Sequence, residues 1–122
     1  MVHKNTFEKG RRAENLALGY LKNSNLKLLN RNYRSRHGEI DLIMQDGNQL
    51  IFIEVRSRAS NYLASPAETI DSNKRSRIIR TSQQYIQENR EISWKTCRFD
   101  VVTITGENKH KDIEWIKNAF EA

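Results

Sequence analysis

The stretch GEIDLIMQDGNQLIFIEVRSR, residues 38–58, constrains this chain more than any other. Two aliphatic runs flank the polar tetrad Asp46-Gly47-Asn48-Gln49, a β-hairpin pattern. In the first run Ile40, Leu42 and Met44 alternate with Asp41 and Ile43. In the second, Ile51, Ile53 and Val55 alternate with Leu50, Phe52, Glu54 and Arg56. Apolar residues therefore occupy both faces, which predicts strands in the middle of a sheet with helices packed on each side.

Such a pair has no obvious use for two acids. With a Gly-first loop at Gly47-Asn48, suited to a type II′ turn, Asp41 stands directly opposite Glu54. With the loop at Asp46-Gly47 the two become diagonal neighbours on one face, and only a three-residue loop separates them. Opposed carboxylates have Cβ atoms about 5 Å apart and repel, more strongly when desolvated. A hard divalent ion removes that repulsion, and Mg²⁺ is commonly held by one or two carboxylates with waters and phosphates completing its shell. Asp41 and Glu54 are thus candidate ligands for Mg²⁺ or Mn²⁺. Arg56, two residues beyond Glu54 on the same face, would meet a phosphate there. The competing reading is a solvated strand face on which either acid pairs with Arg56 or Arg58.

The rest of the chain supplies the other elements. A first helix starts after Asn5 or Thr6, where Asn5 and Glu8 form a capping-box pattern; its apolar stripe is Ala13, Leu16, Ala17, Tyr20 and Leu21, and Asn23-Ser24-Asn25 ends it. A strand follows over 26–35. A polar connection containing Pro66 leads to a second helix over roughly 72–89, with the stripe Ile78, Ile79, Tyr85 and Ile86. CRFDVVTIT is a strand, and DIEWIKNAF reads as a last strand running into a short helix. Length and the absence of a linker or repeat predict one domain, 1–122. The single cysteine, Cys97, excludes an intramolecular disulfide framework and reads as a packed thiol. Without an apolar leader or membrane-length run, the expected location is the cytoplasm, with no membrane partner.

These residues carry a family resemblance. GEIDLI, a short hairpin and then FIEVRSR resemble the PD-(D/E)xK nuclease signature, with Asp41 at the first acid, Glu54 at the second and Arg56 at the lysine position. GRRAENLALGYL, LNRNYRSRHGEIDLI, CRFDVV and IEWIKNAF extend the likeness over nearly the whole chain, which resembles the YraN family of small bacterial proteins, itself similar to archaeal Holliday-junction resolvases. The resemblance implies an α/β, restriction-endonuclease-like fold, a central mixed sheet flanked by helices. It implies a further acid on the first helix, here Glu14, and hints at a homodimer. Arg56 departs from the pattern, because arginine stays protonated and cannot serve as a general base. Lys74, opening the second helix, is the candidate to supply the amine.

The net charge of +6 is distributed around this motif. Arg11, Arg34, Arg36, Arg58, Arg75 and Arg77 belong to basic groups on both sides of it and are the expected contacts to a nucleic-acid backbone, DNA first. His3, His37 and His110 are too scattered for a zinc site. Asp100 is expected to pair with Arg98 or support the sheet, and Trp94 and Trp115 to pack. The leading expectation is a metal-dependent nuclease acting on DNA, including branched DNA, with Asp41, Glu54, Arg56, Lys74 and Glu14 at its site. The alternative is a non-catalytic nucleic-acid-binding module that keeps the nuclease fold.

Overall fold

A computed structural model describes residues 6–58, 70–90, 96–106 and 112–122. The elements are α1 (Thr6–Asn23), β1 (Lys27–Ser35), β2 (Gly38–Asp46), β3 (Gln49–Arg58), α2 (Ser72–Glu88), β4 (Thr96–Thr105) and β5 (Asp112–Phe120). The strands form one five-stranded mixed sheet in the order β1-β2-β3-β4-β5. β3 and β4 run parallel, joined through α2, and the other neighbours are antiparallel.

The two-faced hairpin pattern is used as expected. Leu42, Met44, Ile51 and Ile53 pack with Ala13, Ala17 and Leu21 of α1 on one face. Ile43, Leu50 and Phe52 pack with Ile78 and Tyr85 of α2 on the other. Alternate side chains of the same strands thus build two cores, and the sheet is an α/β layer with a helix on each side. The hairpin loop is Gly47-Asn48: Asp46 pairs with Gln49 and Ile43 with Phe52. Gly47 has φ +60 while Asn48 keeps a negative φ, as a Gly-first II′ loop requires.

Helix α1 ends in a Schellman motif. The Asn25 and Leu26 amides donate to Lys22 O and Leu21 O, and Asn25 takes a left-handed φ of +70. Its buried stripe is narrower than the sequence suggested, since Leu16 and Tyr20 remain 36% and 39% exposed. The small Ala13 and Ala17 bring the helix onto the sheet, and Tyr20 instead meets Trp115 edge-on. Asp71 caps α2 by accepting from the Lys74 amide at 2.8 Å. Here too the stripe shifts: Thr81 and Ser82 are buried and Ile86 is exposed. The proposed Asn5–Glu8 capping box, Pro66, Trp94, His3 and His110 lie outside the described residues.

Two expectations are corrected. The C-terminal segment remains a strand through Phe120 and forms no helix. Its end is held by distant partners, because Phe120 stacks on Phe99 at 5.1 Å and the Asn118 amide donates to Asp100 Oδ1 at 2.8 Å. Asn118, at φ +53, carries the chain over a bulge opposite Phe99 and Val101. Cys97, expected to be packed, is exposed. Asp100 does pair with Arg98, through two bonds of 2.8 Å, and also accepts from Trp115 Nε1. The carboxylate is fully buried, and these donors satisfy it.

Candidate functional site

The site lies where two neighbouring strands part. The β2–β3 ladder runs from Asp46↔Gln49 to Leu42↔Ile53 and stops. Beyond it, Gly38–Ile40 pair with β1 while Glu54–Arg58 pair with β4. The next rung would oppose Asp41 and Glu54. Instead, Asp41 Oδ2 accepts the Val55 amide at 2.8 Å, so a side-chain oxygen takes a donor of the neighbouring strand.

The two acids meet at this fork. Glu54 is only 6% exposed. Burial pushes the Asp41 carboxyl up to about 8; the negative charge of Glu54 raises it next, the Val55 amide lowers it, and a hydrogen bond with Glu54 and the charge of Glu14 raise it further. Desolvation and the neighbouring Glu54 charge both favour the neutral carboxyl, so Asp41 holds a proton at neutral pH.

Cations approach the pair from two elements. Lys74 Nζ, in the first turn of α2, lies 2.6 Å from Glu54 Oε2, and Arg56 Nη1 lies 3.9 Å from the same oxygen. The Asp71 cap fixes the turn that carries Lys74, and β3 alternation puts Glu54 and Arg56 on the α2 face. Glu14 approaches from α1. Both its oxygens accept from Asn32 Nδ2, at 3.0 and 3.1 Å, and Oε1 also accepts from Arg31 Nε at 3.3 Å. Five residues named from the sequence (Asp41, Glu54, Arg56, Lys74 and Glu14) therefore converge, with Glu14 at the margin.

Asn32 was not anticipated. It stands in β1 between the pairs Arg31↔Leu42 and Tyr33↔Ile40, hence opposite Asp41, and has φ +54. Asparagine tolerates this left-handed state better than other non-glycine residues, and the kink lets its amide reach Glu14. The signal available was an asparagine inside the strand run NRNY, a residue type depleted from strands.

The basic residues are dispersed around the fork. Arg11, Arg34, Arg36 and Arg77 are exposed. Arg34 pairs with Glu39 at 2.7 Å, and the Arg77 stem covers Gly38, where an added Cβ would lie 3.3 Å from Arg77 Cβ. Arg75 is turned inward, donating to Ile70 O at 3.0 Å and lying over the Phe120 ring. The side chain of Arg58 lies outside the described residues. Among the described residues no three His, Cys, Asp or Glu side chains gather closely enough to enclose a metal, and no helix is long and apolar enough to cross a membrane.

The comparisons with known proteins place the whole chain. A protein of Stutzerimonas stutzeri strain A1501 is 43% identical over 93% of this chain and 94% of its own length. A Nitrosomonas europaea protein is 44% identical over 93% of each chain, and one from Legionella pneumophila strain Corby is 45% identical over 96% of this chain and 98% of its own. All three carry the name UPF0102 protein. The family model described as uncharacterised protein family UPF0102 matches residues 13–104, which span the fork, Glu14 and α2. The chain belongs to the uncharacterised protein family UPF0102.

Proposed function

We propose that this protein is a metal-dependent nuclease that hydrolyses phosphodiester bonds in DNA, branched DNA included, on a restriction-endonuclease-like fold akin to that of archaeal Holliday-junction resolvases. One observation carries the reading. Asp41 and Glu54, from adjacent strands, bring their carboxyls together at the parting of β2 and β3, with the Lys74 amine 2.6 Å from Glu54.

The donor set fits a hard divalent cation, Mg²⁺ or Mn²⁺. The oxygens are carboxylate, a cation would take over the charge that the Asp41 proton and Lys74 now offset, and two protein ligands leave coordination positions for water and a phosphate oxygen. A cation held there would polarise the scissile phosphate and lower the pKa of an attacking water. Asp41 and Glu54 would be the carboxylates that hold it, Asp41 in its deprotonated form. Lys74 leaves or shares Glu54 Oε2 and offers its ammonium to the phosphate. Arg56, permanently protonated, stabilises the charge that develops on the phosphate oxygens. Glu14, clasped by Arg31 and Asn32, adds negative potential at the margin and strengthens the pull on the cation.

End-labelled linear, flapped and four-way DNA incubated with Mg²⁺ or Mn²⁺ should be cut. Asp41→Ala and Glu54→Ala should each abolish the cut, and cleavage that survives either change overturns the proposal.

A second reading is supported by the Lys74–Glu54 contact itself. An ammonium on one acid and a proton on the other already neutralise the pair. A module that keeps this arrangement would bind DNA without cleaving it and would bind equally well with the divalent cation removed.

A further inference from the structure

A groove of about 540 Å³ lies beside the fork, between the β1–β2 turn and the second half of α2. On its turn side stand Arg36 and His37. On its helix side Arg80, Gln83, Gln84 and Gln87 follow the spacing i, i+3, i+4, i+7, which aligns them on one face. The turn is docked rather than loose. Ser35 Oγ lies 3.1 Å from Thr81 Oγ1 and accepts the His37 amide at 2.9 Å, and Gly38, at φ +152, fits under the Arg77 stem.

The lining is suited to an anion. Arg36 and Arg80 are exposed, and neither makes an ion pair or hydrogen bond among the described residues. Glu88 is the one acid at the rim among the described residues, and it is engaged by the Tyr33 hydroxyl and by Gln84 Nε2. Burial and the Glu88 hydrogen bond push Tyr33 up to about 12, so the phenol keeps its proton and donates it to that acid. Guanidinium groups and the amides of Gln83 and Gln87 outnumber that single carboxylate and offer donors to phosphate and sugar oxygens. The groove is open to solvent rather than enclosed, and its helix side runs from Arg80 to Gln87, a lining long enough for several backbone phosphates.

We propose that this groove is a second DNA-backbone site that holds a stretch of the strand flanking the phosphate engaged at Asp41 and Glu54. The inference rests on the nuclease reading and adds to it where the substrate runs. Lys74 and the groove share one helix. At 1.5 Å per residue, Arg80 lies about 9 Å and Gln87 about 20 Å beyond Lys74 along the axis. A strand advances about 3.4 Å per nucleotide, so the groove takes phosphates roughly three to six nucleotides from the reacting one.

The test is binding of a labelled duplex and a four-way junction to the full chain in EDTA, read as affinity against salt. Each phosphate contact contributes about 0.9 to the slope of log K against log salt. The pair Arg36→Gln/Arg80→Gln should lose about 10- to 100-fold in affinity at low salt and lower the slope by about 2. Gln83→Ala/Gln87→Ala should weaken binding with no change in slope, because amides release no counterions. Lys22→Ala/Lys27→Ala, on exposed residues of the α1 end and the β1 start, removes the same charge and should cost less than about threefold.

If the groove pair loses no more than this control, or loses affinity with an unchanged slope, the groove site is overturned while the cleavage reading stands on its own assay. If the wild-type chain binds no DNA at low salt, both fail together.

Discussion

The proton on Asp41 can be tested without any assumption about catalysis. An ordinary aspartate, at 3.8, rises to about 8 in the fold. The folded state therefore binds more protons than the unfolded chain between those pH values, so stability falls as pH rises through that window and levels off above it. A rise of about four pH units, at about 1.4 kcal/mol each, is on the order of 5 kcal/mol if Asp41 carries it alone, and less where Glu54 shares the proton. Asp41→Asn keeps the shape, can still accept the Val55 amide, and needs no proton. In EDTA the variant should match the wild type near pH 5 and exceed it by about 2–5 kcal/mol at pH 9. For a chain of this size that is roughly 8–20 °C in Tm. Urea and thermal unfolding at pH 5, 7 and 9 read the difference directly. A variant equally destabilised at every pH, or more so at high pH, would refute a fork that stores unmet negative charge.

Three further outcomes follow from the same geometry. Mg²⁺ at ten times its dissociation constant should stabilise the wild type by about 1.4 kcal/mol at pH 8, and Glu54→Gln should remove that gain in a thermal shift; equal gains in both proteins would place the cation elsewhere. Lys74→Met should cost about 1–2 kcal/mol, because its side chain is 37% exposed and screened, yet cost almost nothing in a Glu54→Gln background; a double-mutant cycle in urea without coupling would remove the ion pair from the account. Asp100→Ala should cost about 3–5 kcal/mol, since it leaves Arg98, the Trp115 indole and the Asn118 amide without their buried acceptor; a loss below about 1 kcal/mol would show that water replaces it.

What was legible in the sequence was local. The loop Gly47-Asn48 sets the hairpin register, and the two-faced aliphatic pattern sets its place in the sheet. Together they bring Asp41 to Glu54. The helix ends were also legible, because Asn25 sits just beyond the last turn of α1 and Asp71 just before the first of α2. What escaped depends on partners far apart in sequence. DIEWIKNAF has a helical look, but Phe99 and Asp100 hold it extended. Leu16 and Tyr20 continue an apolar stripe, but the sheet buries Ala13, Ala17 and Leu21 beneath α1 and takes Leu18 in part. The link between Lys74 and Glu54 needed the crossover geometry that places α2 over the end of β3. Neither the parting of β2 from β3 at Asp41 nor the left-handed Asn32 opposite it is announced by any periodicity.

The bond from the Val55 amide to Asp41 also bears on how the molecule assembles. If β2 slid past β3 by one residue, its side chains would exchange faces, so Asp41 would lose that donor and turn toward the Ala-lined side of α1, away from Glu54 and Lys74. A misaligned hairpin would thus strand the Asp41 carboxyl among aliphatic side chains. Correct zippering of the strands and completion of the fork become a single event, and the pair of acids proofreads the alignment that creates it.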